Sequence, residues 1–243
     1  NEDNGLSNDR IRCLYEDQSQ ALWIGTYFGG ISKFFNNSFT LYTKDDGIAM
    51  NVVNAVQCNP LDSSLWMGTD GGGLNIWGEK RSVLTTEKGL SSDNVTCFHL
   101  FKRGEALVGT EEGLNLVVEG QVLKVWDSYN EFFKGNKITH IVANEHLALA
   151  LKDQHKLFVI TASGEFAYSD TITKQITKIG GEDIFAMSYA DKQFWLAGEE
   201  QLYSLVIDTI AVNKIHHWDI KNVDGLAGDD KVKFGFTSKN KLF

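Results

Sequence analysis

The sequence predicts an all-β protein, a β-propeller of four-stranded blades with about five to six blades present. Three observations carry this: a tandem repeat near 42 residues, short β-rich runs broken by turn residues, and an apolar core in each repeat too continuous for a half-exposed strand. GLSNDRIRCLYEDQSQALWIGTYFGGISKF begins at Gly5, GIAMNVVNAVQCNPLDSSLWMGTDGGGLNIW at Gly47 and GLSSDNVTCFHLFKRGEALVGTEEGLNLVV at Gly89, so the starts fall 42 residues apart both times. The recurring centre is LWIGT at 22–26, LWMGT at 65–69 and ALVGT at 106–110. A weaker fourth unit places HLALAL at 146–151, and a fifth places FWLAG at 194–198. Gly225 and Leu226 open a sixth, whose Val232 matches Ile11, Val53, Val95, Ile138 and Ile184. The repeats run at about 5–46, 47–88, 89–132, 133–178 and 179–224, with a partial 225–243, and are read as one propeller domain over 1–243.

A period of this length fits helical repeats as well as blades of four strands. Local chemistry separates them. Runs of Val, Ile, Leu, Phe and Trp are broken at short intervals by Gly, Asn or Asp, which leaves room for four strands and not for two helices. In the first unit strands are expected at about 10–17, 21–27, 30–35 and 38–43. In the second they fall at about 52–58, 64–69, 73–77 and 82–86, and in the third at about 94–101, 105–110, 113–118 and 121–126. Leu22, Trp23 and Ile24 are consecutive, as expected for a strand buried on both faces between stacked sheets. The Gly of LWIGT permits close backbone approach, and Gly29-Gly30 and Gly72-Gly73 suit the following hairpin turn, where positive φ is needed. Five units and an unfinished sixth suggest a slice of a seven-bladed ring, since propellers close with about four to eight blades.

These residues resemble the two-component regulator propeller repeat, which reads roughly as Gly-Leu-Ser-x-Asn, a Val-x-x-Ile strand, an Asp, then Leu-Trp-Ile-Gly-Thr and Gly-Gly-Leu. The match is strong over residues 5–77, good to about 118 and faint beyond; the fourth unit lacks the Trp and the Gly-Thr, while the fifth keeps Phe194, Trp195 and Gly198. The resemblance implies seven-bladed propellers, often in tandem, in the periplasm ahead of a membrane helix. The output domain it implies is a histidine kinase, a hybrid kinase–response regulator or a diguanylate cyclase. It implies a non-catalytic sensor, often of oligosaccharides, whose partners are the rest of the parent signalling protein and a second copy in a homodimer.

Composition narrows the partners further. The net charge is −9 and no Lys/Arg cluster occurs, which argues against nucleic acid and against anionic membrane surfaces; any membrane link runs through the parent chain. No cofactor is expected. Three cysteines, Cys13, Cys58 and Cys97, sit in strand-like runs and read as buried thiols, with a disulfide between two of them as the alternative. GTDGGGLN at 68–75 lacks the Gly-Lys-Ser/Thr ending of a phosphate loop. Cys97 and His99 share a strand face but are two ligands only, and His216 and His217 point to opposite faces. Asp224, Asp229 and Asp230 fit no calcium loop.

In a repeat fold, positions that recur serve the scaffold, and loop positions that differ between units are free for function. The connections into the first strands and the second–third strand hairpins emerge on one end. That end carries Asn8, Asp9, Tyr27, Phe28, Met50, Asn51, Asp70, Asp93, Glu111, Glu112 and Asn136. The ligand-binding expectation falls on Tyr27, Phe28, Asn8, Asn51, Asp70 and Glu111. Tyr27 and Phe28 are adjacent aromatics able to stack on sugars or apolar partners, with Asn and Asp nearby to bond hydroxyls. Trp126 and Trp218 share the fourth-strand slot with Tyr42 and read as scaffold. No catalytic or metal residue is expected. Two alternatives to a sensor stand beside it: a propeller enzyme, a lyase or glycosidase acting on a saccharide, and a protein-interaction platform.

Overall fold

The computed structural model describes residues 2–101, 104–123, 133–143, 147–152, 156–161, 173–176, 184–190, 192–198, 201–208 and 211–219. The sixth repeat and Trp126 lie outside the described residues. The described residues form five four-stranded antiparallel sheets, each a simple meander. The first holds β1 (Ile11–Glu16), β2 (Leu22–Thr26), β3 (Ile31–Phe35) and β4 (Ser38–Tyr42). The second holds β5 (Val53–Cys58), β6 (Leu65–Thr69), β7 (Leu74–Trp77) and β8 (Arg81–Leu84). The third holds β9 (Val95–Leu100), β10 (Ala106–Thr110), β11 (Gly113–Val118) and β12 (Gln121–Val122). The fourth holds β13 (Ile138–Ala143), β14 (Leu147–Lys152), β15 (Lys156–Thr161) and β16 (Thr173–Ile176), and the fifth β17 (Ile184–Ala190), β18 (Gln193–Gly198), β19 (Gln201–Asp208) and β20 (Ala211–Asp219). The strands expected in the first three units stand within a residue or two of these bounds; only β12 is shorter, with residues from 124 outside the description.

Two compact units result, Asn1–Ile138 and Thr139–Phe243. In the first unit the opening strand of each sheet packs on the first and second strands of the sheet before it. Glycine makes this contact close. A Cβ on Gly25 would meet the Cys13 thiol and stand 3.0 Å from the Val53 carbonyl oxygen. One on Gly68 would stand 2.6 Å from Val95, and one on Gly109 2.8 Å from Ile138. Opposite each glycine the paired residue is small: Cys13, Ala55 and Cys97. In the second unit Ala197 takes the glycine's place, pairing with Ala186, while Gly198 pairs with Ile184 as Thr26 pairs with Ile11. Within that unit Phe194, Leu196, Tyr203 and Leu205 are buried, and Trp195 Nε1 donates to the Ala190 carbonyl at 3.3 Å.

The threonine of each Gly-Thr pair locks the hairpin that follows it. Thr26 Oγ1 donates to the Gly30 carbonyl, Thr69 Oγ1 to Gly73 and Thr110 Oγ1 to Gly113, at 3.0, 2.9 and 3.0 Å. The expectation of positive φ at both paired glycines is half correct. Gly30 and Gly73 adopt it at +74° and +69°, pressed against the carbonyls of Tyr42 and Leu84. The other left-handed position is not Gly29 or Gly72 but the residue before, Phe28 at +71° and Gly71 at +84°. The glycine that opens the second and third repeats closes a short 3₁₀ turn: Gly47 and Gly89 N–H donate to Lys44 and Thr86 carbonyls.

A bulge interrupts four of the five opening strands: between Ile11 and Cys13 in β1, between Val53 and Ala55 in β5, opposite Gly109/Thr110 in β9, and between Ile184 and Ala186 in β17. Bulges re-aim a side chain out of the pleat. Here the freed side chains tie consecutive sheets together. Arg12 Nε and Nη2 donate to Asn54 Oδ1 at 3.0 and 2.7 Å, Asn54 Nδ2 donates to the Val95 carbonyl at 2.9 Å, and Thr96 Oγ1 donates to the Ile138 carbonyl.

The cysteines are free thiols, which removes the disulfide alternative. Cys13 and Cys97 lie under the glycines, where burial pushes both thiols up to about 12. Cys58 is half-buried, and desolvation raises its thiol to about 11.

Candidate functional site

The hairpin tips and the connections into the opening strands share one end of the three sheets of the first unit, as their backbone pairing requires. Tyr27, Asp70 and Glu111 are equivalent there: their N–H groups donate to the carbonyls of Arg10, Val52 and Asn94 at 2.9, 3.0 and 3.1 Å. The same backbone frame therefore presents a different side chain from each sheet.

The structure divides the expected site residues into two groups. Several are occupied with holding the scaffold. Asn51 Oδ1 accepts from Lys44 N at 2.8 Å and its carbonyl accepts from Gly30 N, and Asp93 does the same for Thr86 N and Gly73 N. Asn8 Oδ1 accepts from Arg10 N at 2.9 Å, and Gly29 packs directly on Asn8. Glu111 accepts from Asn94 Nδ2 at 2.8 Å and pairs with Lys137 Nζ at 3.0 Å; these two bonds hold its carboxyl below the ordinary range. Glu112 and Asn136 are engaged through backbone bonds to Gly135 and Phe133.

Tyr27 and Phe28 form the second group. Phe28 is 64% exposed, at the left-handed tip of the hairpin. Its ring lies 4.2 Å from that of Tyr27 at 60°. Two arginines from β1 and its lead-in flank the tyrosine, with Arg10 and Arg12 guanidinium carbons 5.8 and 5.5 Å from the ring centroid. Asp70 is half-buried on the neighbouring sheet, next to Gly71. The arginines did not emerge from the sequence. Their signal was available: Arg10 and Arg12 stand where Val52 and Asn94, or Asn54 and Thr96, stand in the next two repeats. The first sheet thus presents an aromatic pair beside two cations, an arrangement suited to a flat or anionic ligand and without an evident nucleophile or acid–base pair. Among the described residues no three His, Cys, Asp or Glu side chains gather as metal ligands. His99 is packed edge-on to Phe101 at 4.8 Å, apart from any such role.

Four-stranded meanders, packed on one another in the first unit through their opening strands, are blades of a β-propeller. Residues 5–28 match the family described as two component regulator propeller, so the chain carries that repeat in its first blade. No curated protein matches the chain. Among solved structures, the extracellular domain of a protein described as a hybrid two component system from B. thetaiotaomicron superposes with TM-score 0.72 at 17% identity, over 100% of this chain and 39% of that one. A second extracellular domain from the same organism, described as a one component system, gives 0.72 at 17% identity over 96% and 32%. The chain therefore spans between about a third and two fifths of these neighbours. Virginiamycin B lyase from Staphylococcus aureus, solved with quinupristin, superposes with TM-score 0.68 at 11% identity over 98% and 85%. At such identities the likeness is one of fold.

Proposed function

We propose that this chain is a non-catalytic, extracytoplasmic sensing propeller of a bacterial signalling protein, acting in the periplasm. We assign its ligand- or partner-binding surface to the hairpin end of the first blade. The observation that carries the reading is the Tyr27–Phe28 pair with its two flanking arginines, held on a frame whose counterparts carry Asp70 and Glu111 instead. The repeat family and the likeness to extracellular domains of signalling proteins support the setting. Exposed aromatic faces with adjacent donors suit a saccharide or a flat apolar group of a partner domain. Binding there would reach the rest of the parent protein through the bulge-borne bonds linking blade to blade.

The test is a thermal-shift screen of neutral and acidic oligosaccharides, with product analysis of the same mixtures. A stabilising sugar that is recovered intact, and whose effect disappears in Phe28→Asn, is the expected result. Asn suits the left-handed backbone at that position, so the variant keeps the fold. Cleavage of the sugar would favour the lyase or glycosidase reading. A shift that survives in Phe28→Asn would remove the site from this hairpin.

A further inference from the structure

The repeats supply an internal control for a second site, at the opposite end, between the first and second blades. A cavity of about 460 Å³ opens there, lined by the first–second strand hairpins and the outer strands of both blades. Strand pairing fixes which residues correspond at the next junction. Trp23, Lys33, Tyr42, Cys58, Leu65, Trp77 and Arg81 of the first junction stand where Trp66, Ile76, Leu84, Leu100, Ala106, Val117 and Val122 stand at the second. At the second junction all seven belong to a single apolar cluster. At the first, Trp23 and Leu65 join an apolar cluster with Tyr42, Cys58 and Trp77 packed on it, but Lys33 and Arg81 stand in the places of Ile76 and Val122, and space remains between them.

The geometry is that of a cradle. Trp23 and Tyr42 stack with centroids 6.0 Å apart at 28°, and Tyr42 meets Trp77 edge-on at 5.7 Å and 87°. Lys33 Nζ lies 4.9 Å from the Trp23 ring, and Arg81 Cζ lies 4.0 Å from the Trp77 ring. Neither cation makes an ion pair among the described residues. The nearby carboxylate, Asp17, forms no ion pair with either of them among the described residues. Asp17 Oδ1 accepts from Ser19 N, Ser19 Oγ and Ala21 N, and Oδ2 accepts from Trp23 Nε1 at 2.8 Å, so its oxygens are engaged within the chain. Burial alone would raise this carboxyl, yet those bonds outweigh it and hold it below its ordinary value.

Lys33 is half-buried, and Arg81 is exposed with its Nη1 donating to the Asp46 carbonyl, so both cations stand at the cavity mouth without a carboxylate partner and with donors left to meet an anion. We infer that this cavity is a binding site for a small ring-bearing carboxylate, its flat face on the aromatic rings and its anion between Lys33 and Arg81. The volume falls in the range of small-molecule pockets, which run about 300–1,000 Å³. Sugar acids and aromatic acids share this chemistry. The inference is independent of the hairpin-end reading, since no residue is common to both.

The experiment is calorimetric titration of the chain with four probes: galacturonate, benzoate, glucose and acetate. The tryptophan fluorescence of the same samples is recorded, because Trp23 and Trp77 line the cavity. One or both ring carboxylates should bind at least tenfold more tightly than glucose, which lacks the charge, and acetate, which lacks the ring; which of the two binds distinguishes sugar acid from aromatic acid. Lys33→Met and Arg81→Met should each weaken that binding at least tenfold while the unfolding midpoint holds or rises, as the neighbouring junction carries Ile76 and Val122 in those places. The proposal is overturned if neither ring carboxylate binds at millimolar concentration, if the four probes bind alike, or if both variants bind as the parent does.

Discussion

At the scale of single residues, Gly25, Gly68 and Gly109 stand at one place in three successive repeats, each beneath the opening strand of the next blade. What each excludes is a methyl group, because neighbouring backbone and β-branched side chains occupy its space. Gly25→Ala, Gly68→Ala and Gly109→Ala should each destabilise by about 1–3 kcal/mol, the usual cost of overpacking a filled core. Gly135 provides the contrast: its φ is +70° but nothing lies within 4 Å of a Cβ there, so Gly135→Asn, a residue that tolerates left-handed backbone, should cost no more than about 1 kcal/mol. Urea denaturation of the four variants measures the difference, and equal losses at all four positions would contradict the close contact. The glycine itself was legible as a recurring letter. That it faces a small residue, Cys or Ala, was not, because that partner is distant along the chain and only the pairing brings them together.

At the scale of the strand, the opening strands combine a bulge with a residue that reaches the next blade. Gln57 Oε1 accepts from Leu100 N at 2.9 Å, and in β9 the equivalent residue is His99. Burial pushes His99 down to about 4 from an ordinary 6.5. The folded protein thus keeps this ring neutral at a pH where the unfolded chain already takes up a proton. The contribution of His99 to stability is complete above pH 6.5 and is lost as pH falls toward 4, at a cost of roughly 1–3 kcal/mol. Melting temperatures between pH 7.5 and 4.5 should show this decline, and His99→Gln, which copies the preceding repeat, should flatten it. An unchanged slope in His99→Gln would assign the acid sensitivity elsewhere. The alternation of β9 placed Cys97 and His99 on one face from sequence, but whether that face met metal, water or a neighbouring blade was a question of packing.

At the scale of the whole molecule, burial follows a blade's neighbours more than its own sequence. Val53 and Val95 are fully buried, and Val56 and Phe98 are each 4% exposed, because a preceding blade of the first unit covers them. Ile11 and Leu14 occupy the same positions in the first blade and are 46% and 58% exposed. Leu14→Ser should therefore change stability by no more than about 0.5 kcal/mol. Phe98→Ala should cost about 3–5 kcal/mol. A large loss from Leu14→Ser, measured by denaturation of this chain, would mean that another part of the protein covers that face in solution.

The repeat letters by themselves determined the architecture. A strand buried on both faces must read as an unbroken apolar run, a hairpin under a backbone carbonyl must carry glycine, and a structure made of like units must say so every 42 residues or so. Those constraints are local, and local sequence can express them. The tertiary structure alone decided what lay between units. It bound Asn51 and Glu111 into the frame, set Arg10 and Arg12 beside Tyr27, and opened a cavity at one junction where its neighbour carries an apolar cluster. Arg10 and Arg12 meet Tyr27 within one blade, while Asn51 meets Gly30, Glu111 meets Lys137 and the cavity lining closes across a blade boundary. No periodicity encodes such a meeting; only the stacking of one sheet on the next creates it.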